Sequence, residues 1–303
     1  MRKIKNIVSF FLEYIKYKFI NSFNIVFPFH EYDYIVATKN GLYLTSIKRY
    51  IKIMRGQFYG VVKGQDCWYV FEALTSLSIG RILKISNNGY VETFSKNMSV
   101  GCHQLDIYNH CLFIADTYNN SIIEMELNKG AELKRHFPLG VLQYGRDSNN
   151  YAHINSLFFK NGYCYLVCHN ETSKTGLNSE VLKCDLDFTV ANRINFPAGN
   201  AHNVYLYGNK LITCDSCGKR VIDENGDVLV QLNFFTRGLS VTDDLVVVGE
   251  SEYAKRGERH RKGGWINYFT QDFKFLARQR VPGMVQDVRA LNAKDHCMSS
   301  TYN

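Results

Sequence analysis

From Tyr34 onward the chain alternates short apolar runs with turn signals. Asn40-Gly41, Asn88-Gly89, Lys129-Gly130, Asn161-Gly162, Gly208-Asn209 and Asn225-Gly226 break these runs at near-regular distances, and the runs themselves lack helical spacing. Period-two alternation bounded by Gly and Asn, which accept left-handed backbone, predicts antiparallel strands joined by tight turns. The start of the chain differs. Ile4, Ile7, Val8, Phe11, Leu12, Ile15 and Phe19 recur at three- and four-residue spacing, with the lysines mostly off that stripe. This predicts an amphipathic helix. The expected organisation is a basic amphipathic helical segment, residues 1–30, followed by an all-β portion, residues 31–303.

The strands repeat as units. Six segments stack on one another: Gln57-Phe-Tyr-Gly-Val, His103-Gln-Leu-Asp-Ile, His153-Ile-Asn-Ser-Leu, His202-Asn-Val-Tyr-Leu, Arg237-Gly-Leu-Ser-Val and Gln286-Asp-Val-Arg-Ala, with starts 46, 50, 49, 35 and 49 positions apart. A period of this size with four strands per unit predicts a six-bladed β-propeller. The second strands align too, in 111–127, 165–186, 210–224 and 245–269, each reading strand, loop, strand. Pro138, Pro197 and Pro282 fall where a fourth strand should end, a place that needs no ladder donor. Tyr34–Met54 supplies three strands with no innermost strand ahead of them, and the last innermost strand, from Gln286, has little chain after it. The two ends are therefore expected to share the sixth blade, with the tail 296–303 competing for a strand position.

Composition bounds the rest. A chain of 303 residues, 46% hydrophobic and 14% aromatic, can bury one large all-β core. Nine cysteines are an odd number, and no secretory leader pattern precedes them, which favours buried thiols and a cytoplasmic compartment. The Cys214-Asp-Ser-Cys217 pair is solitary and aligns with Ala115-Asp-Thr-Tyr118, an ordinary strand-end turn. The net charge of +8 comes from two short segments, residues 1–20 and 255–262, each with five basic residues against one acidic. Such local charge argues against a nucleic-acid partner. Glu13, Lys16 and Lys18 interrupt the first helix too often for a membrane span. It either packs on the domain or lies on an anionic membrane or a protein partner, giving a cytoplasmic protein with peripheral membrane contact through residues 1–20 as the further expectation.

The residues also carry a resemblance. HQLDIYNHCLFIADTYNN resembles a blade of the NHL or SMP-30-type six-bladed propellers. The ordered set HQL, HINSLFF, AHNVYLYGNKLITCDS and FFTRGLSVTDDLVVVGESEYAKR, closing with a GW strand and VQDVRAL, resembles an uncharacterised bacterial propeller family over about residues 55–292. That resemblance implies a fold and a set of marked positions, and no activity.

In a propeller the starts of the innermost strands converge around one axis. His103, His153 and His202 would then stand with Arg237, Gln57 and Gln286 in a ring at the channel mouth. Three neutral imidazoles suit a divalent metal with an open coordination position. Alternatively the histidines and Arg237 cradle an anion, the guanidinium gripping a carboxylate or phosphate. A plainer reading has these groups filling and hydrating the channel by bonding to strand-end carbonyls. Asn155 and Asn203, which closely follow two of the histidines, are candidate ligand-binding groups supporting the ring, and Asp287 beside Gln286 is a further candidate. Glu250, Glu252 and the basic loop 255–262, with Arg256, are expected to reach the same face and to engage an acidic ligand. No phosphate-binding glycine loop, GxSxG elbow or HExxH motif is present. The expected function is a His/Arg-lined pocket binding a divalent metal and an acidic small molecule or sugar, with metal-assisted lyase- or hydrolase-type chemistry. The acidic sugar rests on analogy with propeller lyases that use a histidine-bound metal, and no residue is assigned as base. The alternative is a non-catalytic ligand- or protein-binding scaffold tethered by its N-terminal helix.

Overall fold

The computed structural model describes residues 2–141, 151–254 and 256–300, with side chains described from Ile7 onward apart from 256 and 257. Six antiparallel sheets surround a central channel, each built outward from an innermost strand. The innermost strands are Phe58–Lys63 in blade 1, Cys102–Tyr108 in blade 2, Ile154–Lys160 in blade 3, His202–Tyr207 in blade 4, Phe235–Val241 in blade 5 and Val285–Ala290 in blade 6. Each touches the next and the last touches the first, so the ring is closed. The protein is an all-β, six-bladed propeller with an N-terminal helix, as the repeat predicts.

Closure works as expected from the two chain ends. Val285–Ala290 pairs with Tyr34–Thr38 in the register Tyr34↔Ala290, Ile35↔Arg289, Val36↔Val288, which seals the ring with strands from opposite termini. Each blade is covered on both faces by its neighbours. Second strands therefore read as unbroken buried runs, as in Cys67–Leu74. Between blades 1 and 2, for example, Phe71 and Ile82 pack with Leu105, Leu112 and Ile123.

Three features depart from the sequence expectation. Helix α1, Arg2–Phe19, ends earlier than residue 30. Ser22–Asn24 adds a fifth strand to the outer edge of blade 1, in the register Ser22↔Glu92 and Asn24↔Tyr90. Phe23, Ile25, Phe27 and Phe29 then pack on the core around Trp68 and Leu83. The tail, for its part, takes no strand position. Residues 292–300 cross the channel end opposite the mouth. His296 N–H donates to Val241 O at 2.7 Å, Phe159 N–H to Ser299 Oγ at 2.7 Å and Ser300 Oγ–H to Lys63 O at 3.2 Å. Blades 5, 3 and 1 are thus tied across that end, and the channel becomes a cup open at one face.

Candidate functional site at the channel mouth

In all six blades the pairing of innermost with second strand shifts register at the same point, near the strand start. Such a bulge re-aims a side chain that alternation would otherwise bury in the blade. The residues so placed are Tyr59, His103, Asn155, His202, Arg237 and Gln286, and all six line the channel. One step inward, Asn203 and Asp287 accept backbone N–H groups of the following blade, Gly238 at 2.8 Å and Val61 at 3.1 Å. Ser156 Oγ accepts Asn203 N–H at 2.9 Å in the same way. Gly60 occupies this inner position in blade 1, where an added Cβ would lie 2.4 Å from His103 O. Here the channel narrows to a void of about 10 Å³, room for about one water molecule.

Above the ring the mouth opens into a cavity of about 620 Å³. Its walls carry a second circle of groups, from the ends of the second strands and the loops after them. Blades 2 and 4 place hydroxyls there, and each fixes a histidine. His103 Nδ1 lies 2.7 Å from Gly101 O and 2.8 Å from Thr117 Oγ1. Thr117 Oγ–H already donates to Ile154 O at 2.7 Å, so the imidazole proton belongs on Nδ1. His202 is held likewise: Nδ1 is 2.9 Å from Ser216 Oγ, whose proton goes to Thr236 O at 2.6 Å. Both rings therefore keep Nε2 as the lone-pair nitrogen, inferred from the hydrogen-bond network.

In blade 3 the equivalent of Thr117 and Ser216 is His169. Its ring stacks on His153 with centroids 4.4 Å apart. His103 lies 5.6 Å from His153 and His202 lies 5.2 Å from His169, also between centroids, so four imidazoles form one continuous row. Glu171 joins them: its carboxylate is 3.2 Å from His153 Nδ1, and its N–H donates to His169 Nδ1 at 3.1 Å. His153, His169 and Glu171 hold potential ligand atoms that all lie within 4.8 Å of one another. His153 and Glu171 both have left-handed backbone, φ 55° and 46°. Such conformations are costly for non-glycine residues and concentrate at functional sites.

The electrostatics favour neutral rings beside a positive wall. Burial, reinforced by Arg237 and the neighbouring imidazoles, holds His103 and His202 well below the usual histidine range. Burial does the same to His169, with His153 adding to it and Glu171 opposing it. Arg237 is lowered to about 9, first by burial and then by Arg259. Lys39, Lys174 and Arg259 line the same cavity, where Glu171 supplies the one carboxylate among the described residues. Lys39 Nζ stands over the Tyr59 ring at 3.6 Å and contacts its hydroxyl.

His103, His153, His202, Arg237 and Gln286 from the sequence-derived set line one cavity, but among the described residues the ligand atoms that converge are those of His153, His169 and Glu171, without His103 and His202; His153 stands one layer above the ring and Asn155 takes its place within it. Two expectations are corrected. Gln57 shares the layer of His153, but its amide turns away to donate to Thr75 Oγ1 at 2.8 Å, and Tyr59 fills the ring position. Glu250 does not reach the mouth: it is buried, accepts the N–H groups of Asn233 and Phe234 at 3.0 and 2.9 Å, and pairs with Arg278 at 2.6 Å. Asn155 donates to Ala201 O at 2.9 Å and, with Asn203, ties blades together as well as lining the channel. The Arg256 side chain lies outside the described residues; its neighbour Arg259 lines the cavity. His169, Glu171, Tyr59 and Lys39 escape a reading based on innermost strands alone. Aligning Asp116-Thr117, Cys168-His169 and Asp215-Ser216 is the signal that finds His169.

No known protein family matches the chain by sequence, and no curated protein matches it. Solved structures do resemble it. A nidogen/laminin complex aligns at TM-score 0.61 and 10% identity, covering 86% of this chain and 98% of that one. A protein of unknown function from Bacteroides caccae aligns at TM-score 0.58 and 11% identity, again covering 86% and 98%. A luciferin-regenerating enzyme aligns at TM-score 0.53 and 10% identity, covering 76% of this chain and 78% of that one. At these identities the likeness establishes the propeller fold alone.

Proposed function

We propose that the mouth cavity binds an anionic small molecule, an acidic saccharide or a carboxylate of similar size, beside a divalent cation held by His153, His169 and Glu171. The observation that carries this reading is the convergence of those three side chains, two of them on left-handed backbone, next to a wall of Arg237, Lys39, Lys174 and Arg259. Ligands about 2.1 Å from a tetrahedral ion stand about 3.4 Å apart, so modest side-chain movement would close the cluster. One pair, His153 Nδ1 and Glu171 Oε1, already stands 3.2 Å apart. His169 Nδ1 accepts the Glu171 N–H, which puts the ring proton on Nε2. A cation at Nδ1 replaces the Glu171 N–H bond, and one at Nε2 displaces the ring proton. A mixed imidazole and carboxylate set suits zinc, manganese or iron better than calcium. His103 and His202, with Nε2 lone pairs, would accept hydrogen bonds from ligand hydroxyls, and Arg237 would grip the anionic group. A cation beside a bound carboxylate would stabilise negative charge developing next to it, the requirement of lyase or hydrolase chemistry on acidic substrates.

The cavity volume, about 620 Å³, falls in the range of small-molecule sites. The test uses protein purified without a histidine tag, dialysed against Zn²⁺ or Mn²⁺ and assayed for bound metal and for galacturonate binding by calorimetry. One equivalent of metal, lost in Glu171→Gln, with galacturonate binding weakened at least about tenfold in Arg237→Met, is expected. Metal uptake unchanged in Glu171→Gln would overturn the cation site. Anion binding indifferent to Arg237 would overturn the anion site.

A further inference from the structure

Helix α1 is seated the wrong way round for a helix that merely completes a core. Its attachments to the propeller come from its polar side. Glu13 Oε2 accepts Ser76 N–H at 2.8 Å, Ser9 and Ser76 hydroxyls meet at 3.0 Å, and Lys16 Nζ donates to Arg55 O at 3.0 Å. Lys16 also pairs with the buried Glu72, and Tyr17 donates to Asn97. Arg81, itself buried, reaches up to Ile20 O at 3.2 Å. Positions 9, 13, 16, 17 and 20 form one face of a helix. The opposite, apolar face is left in solvent. Ile7 is 67% exposed, Phe11 61%, Leu12 62% and Phe19 74%, with Val8 and Phe10 about half exposed beside them. Burying this stripe against the propeller would have been the ordinary outcome of hydrophobic packing.

The position of the helix adds a direction. Its partners Ser76, Arg55 and Asn97 lie, respectively, in the loop after a second strand, just before an innermost strand and at the end of a fourth strand. All three places belong to the mouth face. The same face exposes Leu177 and Tyr253, from the loops after the second strands of blades 3 and 5. The charge on this side is positive. Residues 1–20 carry Arg2, Lys3, Lys5, Lys16 and Lys18 against Glu13, and the loop 256–262 carries Arg256, Arg259, Arg261 and Lys262 against Glu258. No helix among the described residues is long and apolar enough to cross a membrane.

We infer that α1 lies in the headgroup layer of an anionic phospholipid bilayer, its Ile7, Phe11, Leu12 and Phe19 face inserted, with the channel mouth turned toward that surface. Aromatic and aliphatic side chains on one face, cations along the same segment and a polar face committed to the protein are what an interfacial helix requires. A neutral protein surface would match the apolar stripe and leave the charge unexplained. The inference stands independently of the cation and anion sites proposed above.

Full-length protein is sedimented with vesicles of phosphatidylcholine alone and with phosphatidylserine added. Binding should strengthen at least about tenfold with phosphatidylserine and fall as salt is raised. The Phe11→Asp/Phe19→Asp variant should lose at least about tenfold in vesicle binding with its melting temperature unchanged, because both side chains are exposed. Orientation is read from two single variants. The emission of Leu177→Trp, on the mouth face, should shift to the blue on vesicle addition, while that of Leu186→Trp, on the opposite face, should not. Equal binding to both vesicle types, binding untouched by the aspartates, or a shift at 186 and none at 177 would overturn the inference. So would a stable oligomer in sedimentation velocity that the same double variant dissolves, since a second copy would then cover the stripe.

Discussion

Asp106→Asn should stabilise the protein at alkaline pH and leave it nearly unchanged in acid. Asp106 is buried near the far end of the innermost strand of blade 2, where it holds the C-terminal tail. Its Oδ1 accepts the N–H groups of Ile107 and Ser299 at 2.9 Å each, and Ser299 Oγ–H donates to Oδ2. Burial nevertheless dominates and raises the carboxyl to about 7, against the lowering influence of Ser299 and Arg289. An aspartate in the unfolded chain titrates near about 3.9. With the folded value above the unfolded one, the stabilisation is fully present below about pH 4 and is lost as pH rises to about 7. The difference between the folded and unfolded carboxyl corresponds to on the order of 4 kcal/mol across that window. Asparagine keeps the acceptor for both N–H groups and removes the buried charge. Urea unfolding followed by tryptophan fluorescence at pH 5 and pH 8 should therefore show the variant gaining about 2–4 kcal/mol on the wild type between the two conditions. A stability difference that does not change with pH would refute the reasoning.

Two further perturbations probe the channel. Arg289→Met removes a buried guanidinium that donates to Leu239 O at 2.6 Å and pairs with Asp287 at 3.3 Å. It should cost about 3–5 kcal/mol in urea unfolding, with part recovered when Asp287→Asn is added, because the remaining penalty is an unpaired buried carboxylate. Gly60→Ala places a Cβ 2.4 Å from His103 O and 2.7 Å from Leu105 N, so it should lose more than about 2 kcal/mol and disturb His103; full native stability would show that blades 1 and 2 can part there.

The fold was legible because its signals are local: hairpin dipeptides, alternating runs and a repeated distance. The shared sixth blade followed from Tyr34–Met54 lacking an innermost strand. The ring was legible in four blades and misplaced in two. Stacking on the first polar residue of each unit selected Gln57 and His153, two positions ahead of Tyr59 and Asn155. The bulge sets which side chain faces the axis, as in the shifts between Phe58 and Val61 and between Ile154 and Ser156, and sequence spacing does not show it. His169 and Glu171 were hidden for another reason. They sit in a loop of variable length, and their nearness to His153 exists only once blade 3 has closed. Glu250 carried a charge that looked available, but its partners Asn233, Phe234 and Arg278 are set by tertiary packing. The seating of α1 depends on Ser76, Glu72 and Arg55, dozens of residues away, so the amphipathic pattern alone could not tell which face would dock.

The cation site is the central claim, and pulsed electron paramagnetic resonance of the Mn²⁺-loaded protein tests it most directly. One bound ion per chain is expected, its echo envelope carrying nitrogen modulation from two imidazoles that weakens in His153→Ala and in His169→Ala, is lost in the double variant and is retained in full in Gln57→Ala. A bound ion without nitrogen modulation, or modulation that survives in the double variant, would contradict it.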